Sequence, residues 1–386
     1  MTTNDSRTAV VVLGGGIGGQ VAATVLAKKL GPMGRVVLVE RLPQFVFAPS
    51  LLWLMTGDRQ PEAITRGYAK LARRGVEVRH AGVTGIDPES SRVETTEGAI
   101  AFDYLVVALG AVAAPGMLPG LEEFAHHPYD LPHAERLRDT LAGFGGGRVV
   151  VAIASLPYRC PAAPYETALL IDGHLRRRGL RDRSSVTMYT PEPLPMPVAG
   201  PYIGHMVAAE LARHDIRFHA KVQLERVEAG RLRFADGATA EFDLAVVIPP
   251  HRPAEVVAAS PLAGPGGWVP VDRATLRTRH TNVYAIGDIT AIPLENGMLL
   301  PKAGVFAHGE AEAVAGNIAR RVRGDLREKP FDGHGLCFLE IGGGRAGLAR
   351  GNFYASPVPQ VTMYSPRRPW HAGKVAFEKY WLNRWL

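Results

Sequence analysis

The stretch "TAVVVLGGGIGGQVAATVLAKKL" (8–30), with "RVVLVE" (35–40) after it, decides the fold. Residues 8–13 are uncharged and rich in valine, as a strand buried on both faces of a parallel sheet must be. Residues 20–30 read as a helix and 35–40 as a second strand, giving a βαβ unit. Gly14, Gly16 and Gly19 form G-x-G-x-x-G at the first turn. Glycines there let the backbone turn tightly and approach a pyrophosphate, while the helix N-terminus offers it free N–H groups. Glu40, 21 residues after Gly19, stands where a carboxylate accepts hydrogen bonds from a ribose.

Two further segments extend this reading. "YLVVALGA" (104–111) is a buried strand running out at Gly110, and "NVYAIGDIT" (282–290) is a strand ending at Gly287-Asp288. The pair resembles the second and third FAD-contact motifs of the two-dinucleotide-binding flavoprotein superfamily, in which the matching aspartate binds the ribityl chain. A helix from about Gly304 would aim its N-terminus at the flavin edge where negative charge develops on reduction. Lys302 beside it would add a cation, the alternative being a solvated lysine.

Residues 113–252 read as an inserted second Rossmann-like domain, with strands near 148–153, 185–190 and 243–248. "PPHRP" (249–253) marks the return. The expected division is 1–112 with 253–330 as the FAD-binding domain, 113–252 as the second domain, and 331–386 as a C-terminal region. The fold class is α/β, two Rossmann-like domains with an appendage. At the junction that would hold a nicotinamide cofactor stands "ASLPYRCPAAPYE" (154–166), with no glycine fingerprint. Leu156, Tyr158, Arg159 and three prolines would fill the turn, so NADH is disfavoured. Cys160 is placed by a helix N-terminus and next to Arg159, both of which favour thiolate. Glu166, one turn on, is a candidate proton carrier or a first-turn partner of the helix dipole. The second cysteine, Cys337, lies in "GHGLCFLEIGGGRAG" (333–347). If the two meet beside the flavin they form a redox couple.

Bulk properties bound the rest. The 386 residues are 46% hydrophobic and 21% charged, as in a folded globular chain. No apolar run reaches the ~18 residues of a spanning helix, and the N-terminus lacks the basic region of a signal peptide. Two cysteines make neither a secreted disulfide framework nor a structural zinc site. The thirteen histidines show no zinc spacing, so no metal is expected, and His126-His127 reads as a surface pair. The formal charge is +7, and residues 367–386 hold five basic residues against the single acid Glu378. That concentration points to an anionic surface as partner and not to nucleic acid. Phe377, Trp381 and Trp385 recur every four residues with Lys374, Lys379 and Arg384 around them, as in an amphipathic helix lying in a bilayer interface. The alternative is a helix packed on the protein.

"YRCPAAPYE", "FAPSLLWLMTG" (47–57), "VVIPPHRP", "VPVDRATLRTRHTNVYAIGDIT" and "PKAGVFAHGEAEAVAGNI" together resemble the sulfide:quinone oxidoreductases and the related flavoprotein subunit of flavocytochrome c sulfide dehydrogenase. The resemblance covers nearly the whole chain. It implies a Cys160–Cys337 disulfide attacked by hydrosulfide, with Cys160 engaging the flavin and Cys337 carrying sulfane sulfur, or the two roles reversed, and electrons passing to a membrane quinone. It also implies peripheral attachment to the cytoplasmic membrane, with the face and any homo-oligomer left open. The chain departs from many members in lacking a third cysteine in "EEFAHHPYDLPHAE" (122–135). It has alanine and serine where the flavocytochrome subunit has its flavin-linking cysteine, so FAD should be noncovalent. The competing readings are an NAD(P)H:quinone dehydrogenase on the same fold and a non-enzymatic flavin/disulfide redox sensor.

Overall fold

A computed structural model describes residues 7–386. The first six residues, which carry part of the leader reading and of the 1–112 segment, lie outside the described residues. Strand β1 (Thr8–Leu13) leads through helix α1 (Ile17–Leu30) to β2 (Gly34–Val39). A short helix α2 (Leu51–Met55) precedes β3 (Val76–Arg79) and β4 (Tyr104–Val107). Next come α3 (Leu131–Gly143), β5 (Gly147–Ile153), α4 (Ala163–Arg177) and β6 (Ser184–Tyr189). Then follow α5 (Pro201–Arg213), β7 (Ile216–His219), β8 (Leu244–Ile248), β9 (Val283–Ala285) and α6 (Gly304–Val322). The tail holds β10 (His334–Glu340), β11 (Ala346–Asn352), β12 (Gln360–Arg367) and α7 (Arg368–Trp385).

The first sheet has the order β9-β4-β1-β2-β3 and is parallel throughout. Val10 and Val12 pack on one face with Leu26 of α1 and Val314 and Ile318 of α6, while Val11 and Leu13 pack on the other with Val93 and Val257. Side chains alternate across a strand, so covering both faces requires the unbroken apolar run of 8–13. The second sheet, β7-β6-β5-β8, is also parallel and doubly covered. Its edge strand β7 was not expected, because "IRFH" is short and alternates apolar with polar. The chain leaves the first sheet and returns through Ala111–Ala113 and His251–Pro253, which pair antiparallel. The last three residues of "PPHRP" thus pair with a strand at the other end of the excursion.

The tail departs from expectation. It forms an antiparallel sheet, β10-β11-β12, before the last helix. Helix α7 docks on the protein: Trp381 is 1% exposed and Trp385 6%, both within the core that includes Phe45 and Phe47. The tryptophans therefore do not face a bilayer, and Lys374 and Glu378 are buried on the same stripe. Glu378 accepts a bidentate pair from Arg59 and a bond from Ser50 Oγ. Apolar area removed from water and satisfied charges together favour docking over an exposed amphipathic face. The outward side carries Phe377, Lys379, Tyr380 and Arg384. Among the described residues no helix is long and apolar enough to cross a membrane.

Candidate active site

The glycine turn after β1 is built for close approach. A Cβ on Gly19 would lie 1.8 Å from the Gly14 carbonyl oxygen, and one on Gly14 would lie 2.5 Å from that of Ala108. The loops after β1 and β4 thus touch, while the space above Gly16 and Gly110 is open. Glu40 closes the rim, accepting the Gly15 N–H at 2.6 Å and the Leu42 N–H at 2.8 Å. On the same side, the start of α6 meets the start of α1: a Cβ on Gly304 would strike Ile17 at 2.5 Å. Two helix N-termini and the Gly287-Asp288 turn therefore converge on one groove, and neither helix has a side-chain cap. Burial raises the Asp288 carboxyl, with Arg159 and Lys302 only partly offsetting it. Free N–H groups, a backbone cradle and an enclosed acid fit a dinucleotide with a pyrophosphate and polyol chain. Gly19→Ala is expected to give protein purified with little bound flavin, since backbone blocks the new methyl; the ratio of visible to ultraviolet absorbance checks this.

Lys302 lies in this groove and is not solvated. Its Nζ donates to the carbonyls of Asp288 (2.6 Å) and Thr290 (3.1 Å) and sits 3.5 Å from the Trp268 ring centroid. Burial lowers it to about 8, against the pull of Asp288 and Glu310. Glu310, which the sequence did not single out, accepts the Gly287 N–H at 2.6 Å and is raised by burial to about 7.

The cysteine loop is stitched to that groove: the Cys160 N–H donates to the Lys302 carbonyl at 2.7 Å. Cys160 itself has a left-handed φ of 57°, two residues before the N-cap of α4. The expected thiolate does not follow. Burial and then Glu166 push the Cys160 thiol up to about 12, although the Ala162 and Ala163 N–H groups and Lys374 pull it down. The helix start thus acts as anticipated, but enclosure outweighs it. Arg159 turns away to donate to the Tyr129 carbonyl at 2.7 Å and lies over that ring. Cys337, on β10, packs against the same core as Cys160 and feels it electrostatically. Burial, Cys160 and Glu166 raise Cys337, with Lys374 opposing. Both cysteines are free thiols. The tail sheet reaches the groove because Gly335 lies against Phe306 of α6, where a Cβ would sit 2.5 Å from the ring.

Glu166 is no surface glutamate. It is buried, and one carboxylate oxygen accepts from Lys374 Nζ at 2.7 Å and the Glu340 N–H at 2.8 Å. Lys374 also lies 5.0 Å from the Trp53 ring centroid. Burial would lower its pKa, but Glu166 and Glu340 more than compensate and raise it. Beyond it, His371 Nδ1 meets Glu340 at 3.0 Å, with the imidazole half-buried. Lys374, Glu340 and His371 were missed: Lys374 stands 208 residues from Glu166, and nothing local signals that pairing.

The turn after β5 is filled from within. Tyr158 and Thr190 donate to Glu192 at 3.1 and 3.2 Å, and Tyr165 also bonds it. Glu192 lies just beyond β6, where an adenosine ribose would need a free acid. Tyr158 fills the turn as expected, whereas Leu156 points outward and is 52% exposed.

His126-His127 is not a surface pair. Residue 126 bridges to Val246 beside β8, with its N–H on Ala245, and this pins His127 inside. Metal-capable atoms of His127, Asp130 and His133 lie within 4.8 Å of one another. However, His127 Nδ1 accepts the Tyr129 N–H, and burial lowers that imidazole to about 4. The ring is held neutral, with Nδ1 engaged by the Tyr129 N–H and Nε2 buried without a hydrogen-bond partner.

A family profile described as pyridine nucleotide-disulphide oxidoreductase matches residues 8–311. The sulfide-quinone reductase of Aquifex aeolicus is 29% identical over 97% of this chain and 90% of its own. The mitochondrial sulfide:quinone oxidoreductase of Mus musculus is 24% identical over 92% of this chain and 82% of its own. The solved Aquifex aeolicus sulfide:quinone oxidoreductase superposes with a TM-score of 0.90 at 27% identity, covering 98% of this chain and 91% of that one. Profile, sequence and architecture agree: the chain belongs to the pyridine nucleotide-disulphide oxidoreductase family.

Proposed function

We propose that the protein oxidises sulfide to sulfane sulfur or polysulfide through a Cys160–Cys337 redox disulfide and delivers the electrons to a membrane quinone. The observation that carries this reading is that two cysteines from distant parts of the chain pack against one core, with Cys160 raising Cys337 electrostatically, and that the Cys160 loop is bonded to the flavin groove. Gly14, Gly16, Gly19, Glu40, Gly110, Gly287, Asp288 and Lys302 would hold FAD noncovalently, and the bound group would supply the two-electron relay between disulfide and quinone. Hydrosulfide attacks one sulfur and the other leaves as thiolate. Lys374, held beside the pair, offsets part of the burial cost of that thiolate. Glu166 lies where it can take the proton. The relatives named for sulfide and quinone support the substrate assignment.

The occupied turn at Tyr158 and Glu192 supports sulfide over NADH as donor. Anaerobic mixing of the yellow protein with sulfide should bleach the flavin rapidly, and NADH should not. Bleaching by NADH alone would transfer the protein to the NAD(P)H:quinone dehydrogenase reading. The same proposal divides the chain at 1–112 with 253–330, 113–252 and 331–386.

Attachment to the cytoplasmic membrane surface is proposed through the outer side of α7, where Phe377 and Tyr380 are 44% and 60% exposed beside Lys379 and Arg384. The double variant Phe377→Ser/Tyr380→Ser should bind anionic vesicles about ten-fold more weakly, with Trp381 and Trp385 left in place. Unchanged vesicle sedimentation would remove α7 as the contact.

A further inference from the structure

Resting on that reading, we propose that Lys374, Glu340 and His371 form a proton exit from the disulfide chamber to solvent, with Glu166 as its inner end. Glu166, Cys337 and Lys374 stand on α4, β10 and α7, and enclosure by these elements raises both thiols. Each attack by hydrosulfide forms an S–S bond to Cys337 and breaks its bond to Cys160, which leaves as thiolate. Sulfide sulfur is oxidised and the disulfide reduced, and the persulfide S–H proton goes to the Glu166 carboxylate. That proton must leave before the next turnover, and Glu166 is buried.

The contacts supply one route. Lys374 Nζ is 2.7 Å from Glu166, and the Glu340 N–H donates to the same Glu166 oxygen. The Glu340 carboxylate faces both Lys374, which it influences electrostatically, and His371, 3.0 Å away. His371 has 32% of its side chain exposed, against 1% for Glu340. Two pairs, Glu166 with Lys374 and Glu340 with His371, thus stand in series, coupled by the electrostatic pull of Glu340 on Lys374, and end at one imidazole at the surface. Proton transfer along it conserves charge: Lys374 receives a proton from Glu166 as it gives one, relayed through one water, to Glu340, and His371 releases one to bulk solvent. Trp53 stacks under Lys374 and edge-on to His371, holding both in place. The titratable and charged groups around the chamber are Glu166 from α4, Cys337 and Glu340 from β10, and His371, Lys374 and Glu378 from α7. The last is neutralised by Arg59. On the far side of Cys160 stand Tyr129, Arg159 and Glu192, which bond to other partners. His371 and Glu340 touch neither sulfur, so they are positioning residues for proton transfer.

The FAD-loaded protein and its His371→Gln and Glu340→Gln variants are mixed anaerobically with sulfide in weak buffer with a pH-indicator dye. Flavin bleaching and proton release are followed together from about pH 6 to about pH 9. In the unmodified protein release should keep pace with bleaching. In both variants it should lag, and bleaching should slow by roughly ten-fold or more. Added imidazole should restore both in His371→Gly. Variants that match the unmodified protein in rate, lag and pH profile overturn the exit. If sulfide leaves the unmodified flavin oxidised, the sulfide reading has failed, and the network is read from the reduced thiols alone. Iodoacetamide alkylation of Cys160 and Cys337 against pH should then shift in Glu340→Gln, and an unshifted profile overturns the network itself.

Discussion

Cys160→Ala and Cys337→Ala should each reduce sulfide-driven flavin bleaching by on the order of a thousand-fold or more while the protein stays yellow. Neither side chain belongs to the nucleotide cradle, which is made by the glycine turn, Glu40 and the Gly287-Asp288 segment. Both sit in a surround that raises a free thiol. An isolated cysteine there is a poor nucleophile, so the remaining one should not substitute for the pair. Alkylation of the remaining thiol should also be slow near neutral pH, because Cys160 is pushed up to about 12. Undiminished bleaching in both variants would remove the disulfide mechanism, and with it the sulfide reading.

Lys374→Met should lower stability by ~3–5 kcal/mol, because it strips the partner from a buried carboxylate. Methionine keeps the length and fills the space over Trp53, so the loss reports on Glu166 left with only the Glu340 N–H. The double variant Glu166→Gln/Lys374→Met should recover much of that loss, since no unpaired charge remains on α4. Thermal unfolding of the four proteins in one buffer closes the cycle. A single variant as stable as the parent would mean that water reaches the pair. The same lysine is an anchor of α7, so Lys374→Met should also loosen the last helix, read as faster amide exchange between residues 368 and 386.

The βαβ turn, the glycine-lined groove and the turn filled by Tyr158 were legible because each rests on neighbours in sequence. A strand buried on both faces shows as an apolar run, and a backbone that must approach a phosphate shows as glycines at fixed spacing. Cys160 and Cys337 could be named, but their meeting came from family resemblance and not from spacing. Two inferences about local charge failed in the same way. Arg159 is adjacent to Cys160 in sequence, yet its guanidinium serves Tyr129. Lys374 and the tryptophans of 370–386 form a basic, aromatic pattern, yet Lys374, Trp381 and Trp385 are buried.

What the sequence by itself determined is the set of elements and the residues each carries: a glycine turn after a buried strand, an acid ending the next strand, a proline-rich turn filled by Tyr158, and two cysteines. Those depend on backbone sterics and on side chains a few residues apart. The tertiary structure decided the enclosure of the thiols, the depth of Glu166, the face that α7 presents, and the pairing of Lys374 with Glu166 and of Glu340 with His371. Each of these depends on desolvation and on charges brought together from far along the chain. The energy of a charge is set by what surrounds it in space, and local sequence does not record those surroundings.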